Sequence, residues 1–466
     1  MTYSVRAALI VVVCSATAAG ILSATGRAAG ADGGAPVLLT FDNPTGKAAT
    51  FASGGRPVAD NAFFEDLGTN GRRCVTCHQP NDGWTITPGH VQARFAATHG
   101  SDPIFTNNDG SNCEGEVATT VAEKRAAYSL LLTRGLIRVG LDVPQAAEFV
   151  IDHVSDPYRC APGTSDTSLY RRPLPSTNLR FLSAVMWDGR ESSATTTIAQ
   201  DLAHQAVDAT LGHAQALQAP TAAQVQEIVD FETGLYTAQA FDSRAGVLNA
   251  RQGNGGPIAL ARQPFFIGVN DPVGFDPTGH GFDADAFTLF NAWRHPHDDD
   301  PRDDARRAVA RGEALFNTKP ITISGVAGLN GKTFSTGVTL PASFVGSCTI
   351  CHDTPNAGNH SVKAPLDIGV ADPARAPYLP VYTLRNLATQ DVIHTTDPGR
   401  AMITGKWSDV GKFKGPVLRG LPARAPYFHN GMAATLEEVV DFYDTRFQIG
   451  LTAAEKADLI AFLRAL

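Results

Sequence analysis

The chain is 466 residues long, enough for two or three domains with sizeable cores. Hydrophobic residues at 43% and charged residues at 18% are the proportions of an ordinary globular protein, and 44 glycines and 29 prolines predict many turns and long loops. A formal net charge of −8 argues against nucleic acid or an anionic membrane surface as a partner.

At the N-terminus, Arg6 precedes an apolar stretch from Ala7 to Gly20 and small residues through Ala28, Ala29 and Gly30. This is the pattern of a secretory signal peptide over residues 1–30, cleaved near Ala29 to Ala31, and it predicts export to the periplasm. The apolar run is too short and too alanine-rich for a membrane span, and no later segment approaches the length of one. Stable membrane insertion is therefore not expected.

Residues 31–70, rich in Gly and Ala, lead into Cys74-Val75-Thr76-Cys77-His78, and the same spacing returns at Cys348-Thr349-Ile350-Cys351-His352. In such a Cys-x-x-Cys-His pentapeptide the two thiols form thioether bonds to haem vinyl groups and the histidine becomes the proximal iron ligand. A zinc ribbon needs a second cysteine pair roughly 15–20 residues away, and neither motif has one nearby. Two complete copies in a chain with an export signal predict two covalently bound haem c groups, with His78 and His352 as proximal ligands. A small basic redox protein is the electrostatic match for such an acidic chain. Of the other cysteines, Cys14 lies in the signal peptide. Cys113 and Cys160 sit in loop-like sequence and, in an oxidising compartment, predict a disulfide, with two separate buried thiols as the alternative.

Between the motifs, the polar, turn-rich stretch 79–112 predicts a loop over the first haem. Helical patterns follow at 119–134, at 196–216 and at 221–240, where Thr221 and Gln224 suggest a capping box. These elements make an N-terminal haem domain of residues 31–242. Residues 243–300 shift to Gly, Asp and Pro with scattered aromatics and read as a connecting or inserted segment. It holds His295, His297 and the acidic run Asp298 to Asp300, which is better read as solvated loop than as a surface metal site. A second haem domain, 301–466, opens with Val309, Gly312 and Phe316 on one helix face. It closes with a helix capped by Thr452 and Glu455, whose apolar face carries Leu459, Phe462, Leu463 and Leu466. The fold class expected is mainly α: two cytochrome-c-like haem domains with long loops, and few strands.

Three further stretches carry a family resemblance. One runs from Asn178 to Met186-Trp187-Asp188-Gly189-Arg190 and on to Gln205. Another runs from Asp397-Pro398-Gly399-Arg400 to Phe413-Lys414-Gly415-Pro416-Val417-Leu418-Arg419. The third is Ala425-Pro426-Tyr427-Phe428-His429-Asn430-Gly431 and the segment Thr435 to Tyr443. With both haem motifs, these resemble the bacterial di-haem cytochrome c peroxidase superfamily, which includes MauG, over residues 60–466. The resemblance implies that hydrogen peroxide is reduced at the N-terminal haem, with electrons relayed through the C-terminal haem. The electrons would come from a small c-type cytochrome or other redox protein, or from an oxidisable residue of a partner protein. Trp187 matches the tryptophan between the haems.

The distal ligand of the second haem discriminates within the superfamily. Its peroxidases place a methionine fourteen residues after the histidine matched by His429; this chain has Tyr443 there, as MauG has tyrosine. Leu436, Val439, Val440 and Tyr443 share one helix face behind a capping box of Thr435 and Glu438. A thioether raises a haem potential, whereas a hard phenolate favours higher oxidation states. Met402 and Met432 are the other candidates. Two departures concern the first haem. The family's distal glutamate position falls on Gln215, which cannot shuttle a proton as a carboxylate does; His213 can take that role. The family's calcium-ligand asparagine falls on Arg172, whose guanidinium can replace the cation, so calcium stays an open expectation. His90 and His99 read as loop histidines. Two other functions are compatible with the motifs: a non-catalytic di-haem electron carrier, and a haem dioxygenase resembling the di-haem rubber oxygenases.

Overall fold

The structure is a computed structural model that describes residues 35–55, 60–160, 163–295, 299–333 and 337–466. The expected signal peptide, Cys14, His297 and Asp298 lie outside the described residues. Helix accounts for 31% and strand for 17% of the described residues, so the expectation of few strands is corrected. The strands had little periodic signal to offer, because they are only two to eight residues long and are stabilised by partners distant in sequence.

A four-stranded antiparallel sheet opens the chain. Val37–Asn43 and Gly46–Ala52 form a hairpin, and Leu235–Asp242 pairs on its far side, with Gly246–Val247 at the edge. Two helices, Ile198–Gly212 and Ala222–Thr233, stand beside it. Each starts at a reciprocal capping box, Thr197 with Gln200 and Thr221 with Gln224. The helix expected to run to residue 240 stops at Thr233, and the near-fully buried strand Leu235–Asp242 replaces its end. The stretch 79–112 is not all loop, since Pro88–Thr98 is a helix with proline at its first position. Cys113 and Cys160 form a disulfide with Cα atoms 5.1 Å apart.

In the C-terminal half, helix Asp303–Thr318 crosses helix Ala453–Arg464 with Gly312 at the contact. A Cβ on Gly312 would sit 2.0 Å from the carbonyl oxygen of Asp458, so only glycine lets the two backbones come so close. Phe316, Phe462 and Phe287 form the centre of this core, with ring centroids 5.3–5.6 Å apart. Phe287, Phe290 and Trp293 belong to the segment between the expected haem domains, and they are buried in this core. A three-stranded sheet joins the halves directly, with Val381–Asn386 between Val392–Thr395 and Phe149–Ser155. Among the described residues no helix is long and apolar enough to cross a membrane.

Candidate active site: two cavities on a common wall

Each Cys-x-x-Cys-His motif opens into its own cavity. The first is lined by Cys74, Cys77 and His78, and the second by Cys348, Cys351 and His352. Counting the part open to solvent, the first holds about 1390 Å³ and the second about 1750 Å³ of empty space.

Both histidines are prepared in the same way. His78 Nδ1–H donates to the carbonyl of Trp84 at 3.0 Å, and His352 Nδ1–H donates to that of Gly358 at 2.7 Å. This leaves Nε2 as the free ligand atom on each ring. Burial pushes His78 down to about 4 and lowers His352 as well, so both imidazoles are neutral, the form that binds iron. Trp84 is itself fixed, its indole N–H donating to Thr50 Oγ1 in the first sheet at 2.9 Å. Burial pushes Cys74, Cys348 and Cys351 up to about 12 and raises Cys77. Thiolate sites for zinc or redox exchange need the opposite, a lowered thiol. Two half-buried neutral thiols beside one neutral imidazole fit a haem c tether in each cavity.

In the second cavity Tyr443 faces His352, with ring centroids 6.5 Å apart. Leu436, Val439 and Val440 line it from the same helix, Leu436–Phe447. Thr435 caps that helix by accepting from the Glu438 N–H. The reciprocal half of the expected box is absent: the Glu438 carboxylate takes the N–H of Ala434 instead. Met402 is buried in a separate core with Phe149 and Tyr382, and Met432 packs near Tyr443 without lining the cavity. Of the three candidates, Tyr443 is the one whose side chain faces His352 in this cavity.

Trp187 lines the second cavity only, and its indole N–H donates to the carbonyl of Arg172 at 2.8 Å. The three stretches that carry the family resemblance meet around it. Arg171 bridges Asp188 at 2.5 Å and Asp397 at 2.7 Å, Arg400 donates to the carbonyls of Asp188 and Gly189, and the His429 ring lies 6.2 Å from that of Trp187. Burial raises the Asp188 carboxyl, but Arg171 and Arg190 outweigh it and hold it at about 2. Arg172 fills a cage of carbonyl oxygens, donating to Ile86 at 2.7 Å, to Arg134 and Arg424 at 3.1 Å, and to Gly135 at 3.5 Å.

The first cavity differs in adding polar side chains to an apolar lining. Gln205 and His213 lie on its wall, whereas Gln215 does not line it. Gln215 sits exposed just past the helix, its side chain accepting from Asn70. His90 and His99 also lie away from it; His90 is paired with Asp82. Sequence reasoning missed Arg72, Asp109, Met186 and Glu232 as lining residues. Asp109 is buried between the Arg72 guanidinium and His213 Nδ1, contacting both. Burial raises its carboxyl, but His213 and Arg72 prevail and lower it. Glu232 is buried with Oε2 unpartnered, and burial pushes it up to about 7. Met186 lines the wall next to Trp187 in sequence. A buried carboxylate far from any motif leaves no local signal; Met186, inside the Met-Trp-Asp-Gly-Arg stretch, was readable.

The two cavities share residues Pro173, Leu174, Pro175, Lys414, Pro416 and Arg424. They are neighbours across one wall.

No family model matches the chain. The chain is 36% identical to cytochrome-c peroxidase IdrP2 of Denitromonas iodatirespirans over 135 residues, 26% of this chain and 36% of that protein. It is 34% identical to cytochrome-c peroxidase IdrP1 of Pseudomonas sp. (strain SCT) over 139 residues, again 26% and 36%. Cytochrome c551 peroxidase of Nitrosomonas europaea (strain ATCC 19718 / CIP 103999 / KCTC 2705 / NBRC 14298) is 34% identical over 126 residues, covering 26% of this chain and 31% of its own length. The similarity thus spans about a third of the curated relatives. A crystal structure of a MauG-like protein associated with microbial copper homeostasis is also similar, at 16% identity and a TM-score of 0.39 over 91% of this chain and 93% of that one. Over the 26% of its length that the curated relatives match, the chain is similar to cytochrome-c peroxidases.

Proposed function

We propose that this is an exported, periplasmic di-haem oxidoreductase that reduces hydrogen peroxide at the His78 cavity, drawing electrons through the His352 cavity. Its electron source is a small c-type cytochrome or other redox protein, or an oxidisable residue of a partner protein. The observation that carries this reading is the asymmetry of the two cavities. The second is apolar with a phenol facing its imidazole, whereas the first is lined by Gln205, His213 and Asp109.

Haem, when bound, supplies the iron at which peroxide is reduced and a store for the electrons. The chain's own residues supply proton handling and alignment. Asp109 keeps the His213 proton on Nδ1, which leaves Nε2 as the atom that takes up or delivers a proton. Arg72 neutralises the Asp109 charge, so the carboxylate orients His213 without itself becoming a base. The carbonyl of Arg172 fixes the indole of Trp187 in the wall of the second cavity. A phenolate from Tyr443 is a hard donor and favours the oxidised states of a bound metal.

Met186 supports a second reading. Its thioether lines the first cavity, and as a ligand it would close that side and leave a non-catalytic electron carrier. An electron paramagnetic resonance spectrum of the ferric protein separates the two. A high-spin signal beside a low-spin one, with peroxide consumed when a reduced small cytochrome is added, is the expected result. Two low-spin signals and no peroxide consumption would establish the carrier instead.

A further inference from the structure

The wall between the cavities contains two cationic side chains, Lys414 buried and Arg424 half-buried. Lys414, 8% exposed, and Arg424 line both cavities. Arg424 donates Nη2 to the carbonyl of Val417, but its Nε is buried with no hydrogen-bond partner. Neither side chain makes an ion pair among the described residues. No carboxylate lines the second cavity, although Arg172, Lys414 and Arg424 all do. Three carboxylates line the first cavity, and none of them pairs with Lys414 or Arg424: Asp109 is held by Arg72 and His213, and Glu65 and Glu232 make no ion pair among the described residues.

Burying one cation costs several kcal/mol unless an anion compensates it, and two adjacent cations repel each other as well. The two residues bear the marks of this. Burial, and then the neighbouring Arg424, push the Lys414 amine down to about 7, and burial pushes Arg424 down to about 10. Such a pair in a wall open on both sides is built to receive anions from both sides. A haem carries two propionate carboxylates, and a planar guanidinium suits carboxylate geometry.

We propose that Lys414 and Arg424 form one anion clasp shared by the two cavities, holding a propionate of each haem and thereby joining the two redox centres electrostatically. This rests on the reading that both cavities hold haem. Because the clasp is common to both, loss of one charge must act on both haems. Taking away a positive charge favours the more positive, oxidised form of each centre.

The test is a spectroelectrochemical titration of K414Q beside the parent protein, with the mass of each confirming two attached haems. Both midpoint potentials are expected to fall. A tenfold shift toward the ferric form is about 59 mV for a one-electron couple, and a shift of that order is expected at each haem. K414R, which keeps the charge, is expected to restore both potentials. If only one potential moves, or neither does, the shared clasp is overturned while the di-haem reading stands. If K414Q yields no di-haem protein, K414R must yield it; failure of both would mean that shape rather than charge matters, which also overturns the clasp. A parent protein lacking two haems would instead overturn the reading on which the proposal rests.

Discussion

Tyr443 faces His352 across the second cavity, their ring centroids 6.5 Å apart and their planes at 74°. Helix Leu436–Phe447 delivers the phenol to that spot, with Leu436 and Val440 buried on the same face. Phe447 stacks on the Tyr443 ring at 6.0 Å, and Phe428 and Phe442 complete an aromatic sleeve. Burial raises the phenol above its ordinary range, so a metal cation in the cavity is what would ionise it.

Replacing Tyr443 should therefore change the second haem and leave the first untouched. Y443F is expected to convert the low-spin ferric signal of that haem to high spin. Y443M, which supplies a thioether, is expected to raise its midpoint potential. Electron paramagnetic resonance and a redox titration read the two outcomes; unchanged spectra in both variants would remove Tyr443 from the ligand set.

The Arg72, Asp109 and His213 chain predicts a graded loss of peroxide turnover. H213Q is expected to lower kcat by about 10²–10⁴, the range for a positioned acid–base group. D109N should cost less, because it frees the ring without removing it, and it should displace the pH profile of kcat. Steady-state rates across pH, with a reduced small cytochrome as donor, check both. A D109N profile that overlies the parent's would show that the carboxylate does not orient His213.

Glu232 predicts a pH-dependent stability. Its folded value, raised by burial to about 7, lies above the ordinary 4.5. Between those values the folded protein holds a proton that the unfolded chain has released, so stability falls as pH rises through this window. The loss is of the order of 3 kcal/mol once pH exceeds the folded value. E232Q removes the ionisation. It should match the parent in Tm near pH 4.5 and exceed it near pH 8, as followed by thermal melts of the di-haem protein.

Arg172 predicts indifference to calcium. Its guanidinium already occupies a cage of carbonyl oxygens, the ligand type that a calcium ion uses. The parent's Tm should not respond to calcium or to a chelator. R172A leaves buried carbonyls unpaired, at about 1–3 kcal/mol each, and should melt well below the parent. Calcium is expected to recover part of that loss. A parent protein destabilised by chelator would refute the assignment.

How much was readable follows from the range of each interaction. The haem tethers, the N-caps at Thr221 and Thr452, and the apolar face that ends in Tyr443 are set by neighbours within a turn or two. Their spacing announces them in the sequence. The strand Leu235–Asp242 was missed for the opposite reason: it is stabilised by Gly46–Ala52, far away in the chain. Gln215 was placed by counting along the family's spacing, and the end of the helix turns it out to solvent.

What the sequence determined by itself was local: two Cys-x-x-Cys-His motifs, and Tyr443 on the apolar face of its helix. The tertiary structure alone decided the pairing of Asp109 with Arg72 and His213, across 37 and 104 residues, and the presence of Lys414 and Arg424 in a wall common to both cavities. Covalent and helical geometry act between near neighbours and leave a pattern. Burial and charge pairing act through space, and they leave none until the chain has folded.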